Sequence, residues 1–547
     1  MDKIIEIENI KLNISQAIRR VKKDIEDDWF KDPFMFEDYL TDDFIIDKIS
    51  KIDIKNYSAT RREYFDIPKP GFVIRYSIET NIIDRVLYQS LIDVLAHDMD
   101  SALGVQIYSH RVTKEKERDS HFFKHPVEQW KAFNNHVIIS LDEKPSQTVL
   151  VTDLTNFYEN IDVKKLGEKL EDIAYDLDID KTQKEEYSRV IRLLVMILEK
   201  WAVAQTGCGI PQNRNPSSFL ANMYLHVVDE AMVKSGYKYF RYMDDLRFVC
   251  DNKYEARKIL KHLISELRKI GLNVNSKKTA IIDSGSAEIQ EFLPNPDREI
   301  EQIDELFKTR NLLDIINAVP LLEKKTIQLI KDNETSSRQF RFCIQRYIRL
   351  FRVVEIKDSI NTSSLIPIVI RELLEQPWST DSFFRFLECV DLKDEHCIQI
   401  AKILTDNLLC TYEWQSYYLW QLLIAKKYKT DKLLGLARKK IKEEQDNKPQ
   451  MAGCCLFLSS LGTINDKQYI AENFIIFRDF FTQRIALIAV KDLSYKKYIK
   501  PYVQEHVLPE YVGSYKELNT KFPDTFYRAP EPIHYRNLYN ELPEIIS

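Results

Sequence analysis

Glycine is scarce, 12 in 547 residues, which leaves little room for flexible linkers or for a β-barrel with its glycine corners. The eight cysteines form neither a Cys-x-x-Cys pair nor a Cys/His cluster, so no zinc site is expected. Cys454 and Cys455 lie in an apolar run and read as buried helix residues. The thiols are read as reduced, in a cytosolic compartment. No apolar run approaches the ~20 residues of a membrane span. The start, Met1-Asp2-Lys3-Ile4-Ile5-Glu6, carries early acids where a secretory signal would be apolar. An excess of positive charge is also missing, with 79 Lys and Arg against 84 Asp and Glu. Any phosphate-binding surface must then be local. What is there is an ordinary globular composition, 44% hydrophobic and 30% charged. At this length one core does not suffice, and three or four domains are expected.

The most informative stretch is Tyr242-Met243-Asp244-Asp245, set between two short β-like runs, Tyr237 to Arg241 and Leu246 to Cys250. Paired carboxylates in a tight turn suit a divalent metal beside a polyphosphate, because Mg²⁺ takes one or two carboxylates and leaves its other positions to water and phosphates. Most Asp-Asp pairs are solvated turns, so the pair needs a partner. Asp153 supplies one, at the end of the β-rich run Thr148-Val149-Leu150-Val151-Thr152.

Residues 1–60 are charged and helix-like. Residues 61–147 hold the turn Ile67-Pro68-Lys69-Pro70-Gly71 between short extended segments, then a helix whose stripe is Ile83, Leu87, Leu91 and Leu95. Residues 148–298 alternate strands and helices. There Ala256 to Ile270 is an amphipathic helix, Gly271 stands at its left-handed cap, and Leu272-Asn273-Val274-Asn275 is expected as a strand. This order predicts an α+β layer, a small antiparallel sheet backed by helices. From 299 to 547 helical periodicity dominates, with polar breaks at Asp332-Asn333-Glu334, Pro377 to Thr380 and Asp446 to Pro449. Stacked helix pairs of the HEAT type are expected.

Together these blocks resemble a reverse transcriptase over roughly residues 61 to 295. Ile67-Pro68-Lys69-Pro70 to Arg75, then Asp84-Arg85, is similar to the fingers blocks. Val151 to Tyr158 resembles the first palm motif, and Gly209-Ile210-Pro211-Gln212 with Ser218 to Asn222 the second. Tyr242 to Asp245 resembles the third, and Gly271-Leu272-Asn273 to Lys278-Thr279 the fourth. The resemblance is closest to the bacterial abortive-infection and defence-associated enzymes, which join fingers and palm to a C-terminal helical domain. Two positions depart from the pattern. Asn213 stands where the second motif has glycine, and Phe292-Leu293-Pro294 replaces the usual primer-grip turn.

The resemblance implies roles. Asp153 and Asp244 would bridge Mg²⁺ or Mn²⁺, with Asp245 either a further ligand or a structural turn residue. Tyr158 is either the steric gate that selects deoxynucleotides or a core aromatic beside Phe157, the neighbour that strand alternation would send inward. Lys69 and Arg75 would clamp the triphosphate, and Gln212 would touch the incoming nucleotide. Lys278 is either a general acid toward pyrophosphate or part of a plain basic surface. Ser218 and Asn222 either support that helix or merely pack it, and Met243 either meets the primer or is structural. Tyrosines 527, 535 and 539 are candidates for a protein-priming hydroxyl. The implied activity is DNA synthesis from deoxynucleoside triphosphates in antiphage defence, templated by a companion RNA or untemplated, yielding single-stranded DNA, by a homo-oligomer away from membranes. An RNA polymerase, or a degenerate fold serving as an RNA-binding scaffold, stands as the alternative.

Overall fold

The computed structural model describes residues 2–53, 57–113, 121–143, 147–289, 297–357, 360–511 and 531–539. The chain opens on a β-hairpin, β1 (Ile4–Ile7) with β2 (Ile10–Asn13). This hairpin departs from the helix-like expectation for residues 1–60, which the two helices that follow it meet. Ile7, Ile10 and Leu12 alternate inward, and Glu8 and Asn9 both take positive φ, 47° and 64°. That is the two-residue turn whose hand matches strand twist. Helix α1 (Ile14–Asp24) follows, its first turn capped by the Asn13 side chain, and then α2 (Asp42–Ile49).

A second hairpin pairs β3 (Glu63–Pro68) with β4 (Ile74–Glu79). Helix α3 (Ile82–Asp100) starts at the cap Asn81 and buries Leu87, Leu91 and Leu95. After α4 (Pro126–Asp142) comes β5 (Thr148–Asp153), then the helices α5 (Val163–Asp176), α6 (Lys181–Trp201) and α7 (Asn215–Lys234). Next are β6 (Lys238–Tyr242), β7 (Asp245–Cys250), α8 (Lys253–Lys269) and β8 (Ala280–Asp283). The last four strands form one antiparallel sheet in the order β6-β7-β5-β8. One sheet face carries Val149, Val151 and Val249 against Val137 and Leu141 of α4. The opposite face joins the main core through Leu150, Leu246 and Phe248.

The strand expected over Leu272–Asn275 is reduced to one bridge, Val274 to Leu154. Its flanking asparagines make turns, Asn275 capping the next short turn with its side chain. The segment still splints the end of β5: the Asn275 N–H donates to the Asp153 carbonyl at 2.7 Å, and the Thr155 N–H to that of Asn273 at 3.0 Å. The edge strand of the sheet is Ala280–Asp283 instead. Gly271 takes φ 81° behind α8, the left-handed position that closes a helix.

Beyond Arg298 the described elements are helical, from Arg298–Lys308 to Phe480–Ala489 and the short turns after it. This region clasps residues 29–38. Arg484, buried, makes paired hydrogen bonds to Asp32 and Asp38. Trp414 and Tyr418 donate to the Trp29 carbonyl at 2.9 and 3.0 Å, and Tyr417 to that of Lys31 at 2.9 Å. Most buried apolar side chains accordingly belong to one cluster that runs from Ile7 to Leu538, with the smaller cluster between α4 and the sheet apart from it. Among the described residues no helix is long and apolar enough to cross a membrane, and all eight cysteines are free thiols.

Candidate active site

The sheet brings the acidic residues together through register. Asp153, last in β5, is the cross-strand partner of Asp245, first in β7. Tyr242 is in turn paired with Asp245 across the β6–β7 hairpin, so the loop is only Met243 and Asp244. Met243 takes φ 56°, a left-handed position that a short hairpin requires. Strand alternation puts Asp153 and Asp245 on the face shared with Val151 and Val249.

Each carboxylate has a different environment. Asp153 Oδ2 accepts from the Lys278 ammonium at 2.8 Å. Asp244 is pushed up to about 6, first by burial and then by the charge of Asp153. Burial also raises Asp245, against the pull of Arg247, which donates to its Oδ2 at 3.2 Å. Asp245 Oδ1 is buried and has no hydrogen-bond partner.

A cationic side faces them. The β3–β4 loop closes with the Lys69 N–H on the Val73 carbonyl at 2.7 Å and sets Lys69 and Arg75 toward the sheet edge. The Lys69 ammonium is held below its ordinary range by burial, then by Arg75, with Glu159, Lys278 and Asp153 also in its field. Burial lowers Arg75 against the charges of Glu159 and Asp244. Its Nε is buried without a partner.

Tyr158 lies in a single helical turn, Tyr158–Asn160, beyond the strand. The strand-alternation argument therefore does not apply to it or to Phe157. Phe157 is buried all the same, because Asn156 takes φ 46° and turns the chain back on the sheet. The Tyr158 hydroxyl shares a hydrogen bond with Ser218 Oγ at 3.0 Å, and burial raises its phenol well above the ordinary range, with Asp244 adding to the rise. Gln212 is half-buried in the loop before α7. That loop is stitched to the Tyr158 turn by the Gly209 N–H on the Ile161 carbonyl, 2.9 Å, and the Ile210 N–H on that of Tyr158, 3.1 Å. Asn213 takes φ 57°, the backbone position where the family pattern has glycine, and asparagine is the side chain that tolerates it best.

Several of the resemblance's residues are occupied structurally. Asp84 accepts from the Tyr57 hydroxyl and the Thr60 N–H. Arg85 and Arg214 share Asp28, with Asp24 and Glu79 completing a buried network. The Asn222 amide donates to the Ser109 carbonyl at 2.8 Å. Phe292-Leu293-Pro294 and Tyr527 fall outside the described residues. Tyr535 and Tyr539 are described, the former in a short turn at Tyr535–Asn537. The sequence reading did not single out Arg241. Fully buried, it binds Asp229 through Nε and Nη2 at 2.8 and 2.6 Å, Asn222 Oδ1 at 2.8 Å and the Met243 carbonyl at 3.1 Å. It therefore braces the hairpin loop from beneath. Its one visible signal is its position two residues after Tyr239, on the inward face.

Among the described residues no three acidic, imidazole or thiol side chains stand close enough to ring a metal. Mg²⁺ needs no such ring, since one or two carboxylates serve it. Oxygen-only donors, an orphaned Asp245 Oδ1 and an ammonium lying on Asp153 suit a cation at this edge.

The family described as "Reverse transcriptase (RNA-dependent DNA polymerase)" matches residues 67–303, so the chain carries a reverse-transcriptase domain. Among solved structures, the apo telomerase of Candida tropicalis truncated from its C-terminal domain is similar at 18% identity, over 44% of this chain and 54% of that one, with a TM-score of 0.30. The apo telomerase of Candida tropicalis is 15% identical over 70% of this chain and 65% of that one, TM-score 0.32. The telomerase of Candida albicans in complex with a TWJ fragment of telomeric RNA is 11% identical over 73% and 68%, TM-score 0.29. The chain thus spans between about half and two thirds of these telomerases. No curated protein sequence matches it.

Proposed function

We propose that this protein is a reverse-transcriptase-type DNA polymerase of bacterial antiphage defence, synthesising single-stranded DNA on a companion RNA or without a template. One observation carries the reading. Asp153 and Asp245 are register partners at a sheet edge, Asp244 is the loop residue beside them, and Lys69, Arg75 and Lys278 present positive charge to the same place.

In the proposed reaction a 3′-hydroxyl oxygen attacks the α-phosphorus of a deoxynucleoside triphosphate. The bond from that phosphorus to the oxygen bridging the β-phosphate breaks, pyrophosphate leaves, and the hydroxyl proton passes to water. Asp153, Asp244 and Asp245 would hold Mg²⁺ or Mn²⁺. Such a cation supplies the charge that acidifies the hydroxyl and neutralises the departing oxygen. Lys69 and Arg75 grip the triphosphate from the β3–β4 hairpin, the guanidinium offering a planar fork to phosphate oxygens. Lys278 gives its proton to pyrophosphate. Tyr158, its hydroxyl tied to Ser218, presents the ring edge that a ribose 2′-hydroxyl would strike, and Gln212 meets the nucleotide from the neighbouring loop.

The test is product analysis. The full chain is incubated with each labelled deoxynucleotide and Mg²⁺ or Mn²⁺, with and without copurified RNA, and the product is sequenced. Sequence complementary to the RNA means templated synthesis, while a product independent of RNA means untemplated synthesis. Protease sensitivity reports a covalent protein primer, and light scattering the oligomer. RNA retention without any nucleotide addition would establish the scaffold alternative.

A further inference from the structure

One side chain of the helical C-terminal region reaches the β6–β7 hairpin of this site through an aromatic ring. Arg338 opens the helix Arg338–Leu350, whose cap is Ser337. Its guanidinium carbon lies 3.6 Å from the centroid of the Trp130 ring. Among the described residues it forms no ion pair, so the stack on Trp130 is what holds it. A guanidinium on an indole face is the strongest pairing of this kind.

Trp130 projects from α4 onto the hairpin. It meets Tyr242 edge-on, with ring centroids 4.9 Å apart, and Tyr242 is the register partner of Asp245. The Arg247 guanidinium carbon lies 5.6 Å from the same indole centroid. Arg247 also donates to Asp245 Oδ2 and, at 2.7 Å, to Asn134 Oδ1 of α4. The indole N–H is buried without a hydrogen-bond partner, so Trp130 is located by ring contacts, which also include Phe133 at 5.5 Å between centroids. The charge of Arg338 bears on both Tyr242 and Asp245.

We propose that Arg338 is a positioning residue for the catalytic hairpin: stacked on Trp130, it fixes the ring against which Tyr242 and Arg247 rest, and thereby sets where Asp244 and Asp245 stand. The helical region is on this account a working part of the site. The catalytic consequence rests on the polymerase reading, and the mechanical one does not.

Two measurements on the full chain separate them. Hydrogen exchange is compared between wild type and Arg338→Ala over residues 239–247, together with kcat and nucleotide KM for DNA synthesis. The expected result is faster exchange confined to the hairpin, kcat lowered about 10-fold, as for groups that orient metal ligands, and KM within about twofold. Arg338→Lys should recover part of the loss. Combining Arg338→Ala with Trp130→Ala should add little to either alone, since both break the same stack. Should the alanine variant fail to fold, Arg338→Met keeps the apolar stem and removes the charge. Unchanged exchange at the hairpin overturns the proposal, as does unchanged kcat in a protein that polymerises. A wild type that adds no nucleotide overturns the polymerase reading instead, and the exchange comparison then decides the role of Arg338.

Discussion

The Lys278 ammonium lies on the Asp153 carboxylate at 2.8 Å, linking the segment after α8 to the end of β5. The pair places a proton donor where a cation and a polyphosphate are proposed to meet. Lys278→Ala should lower kcat for DNA synthesis by about 10²-fold, the scale of general-acid loss, with little change in nucleotide KM. Single-turnover kinetics would show it. An equal rise in KM with unchanged kcat would make Lys278 a binding group only.

Asp244 makes a prediction about pH. Its carboxyl is raised from 3.8 to about 6, by burial first and then Asp153. Between those values the folded protein keeps a proton that the unfolded chain releases, so stability falls as pH rises through that window and stays reduced above it. Asp244→Asn should therefore stabilise the metal-free protein near pH 7, by on the order of 2 kcal/mol, and the gain should vanish towards about pH 4. Thermal melting across that range checks it. Mg²⁺ should raise the melting temperature of wild type but not of the variant.

Tyr158 is anchored by Ser218, so its ring has one available position. Tyr158→Ala should raise the preference for ribonucleotides over deoxynucleotides by roughly 10- to 100-fold, read as a ratio of kcat/KM values. Tyr158→Phe keeps the ring and should leave that ratio close to wild type. Equal gains in both variants would assign the selectivity to the hydroxyl.

Arg484 holds the helical region to residues 32–38 through two buried carboxylates. Removing one partner of a buried network strands charges in the interior, which costs about 3–5 kcal/mol. Arg484→Ala should lower the melting temperature sharply and expose the clasped segment to protease. Charge reversal at the exposed, singly paired Lys439 should do neither.

Local pattern was legible where one residue's neighbours decide its conformation. The amphipathic helix read over Ala256 to Ile270, the cap at Gly271 and the turn between two β runs each follow from short-range pattern. The same logic failed at Leu272–Asn275, where asparagine side chains outcompeted the ladder, and at the first hairpin, whose turn has no glycine to announce it. Asn213 carries a backbone angle that the sequence alone does not declare. Arg241, Arg338 and Arg484 were invisible for a different reason. Their partners lie on other elements, Asp229, Trp130 and Asp32, and a lone arginine gives no hint of which distant group it will meet.

The central claim, that Asp153 and Asp244 serve nucleotidyl transfer at the sheet edge, is tested most directly by deoxynucleotide incorporation. Wild type, Asp153→Asn and Asp244→Asn are compared at saturating Mg²⁺ or Mn²⁺, with melting curves to show that each is folded. The account predicts labelled DNA from wild type and a loss of at least about 10³-fold in both variants. Incorporation by either folded variant at the wild-type rate would contradict it.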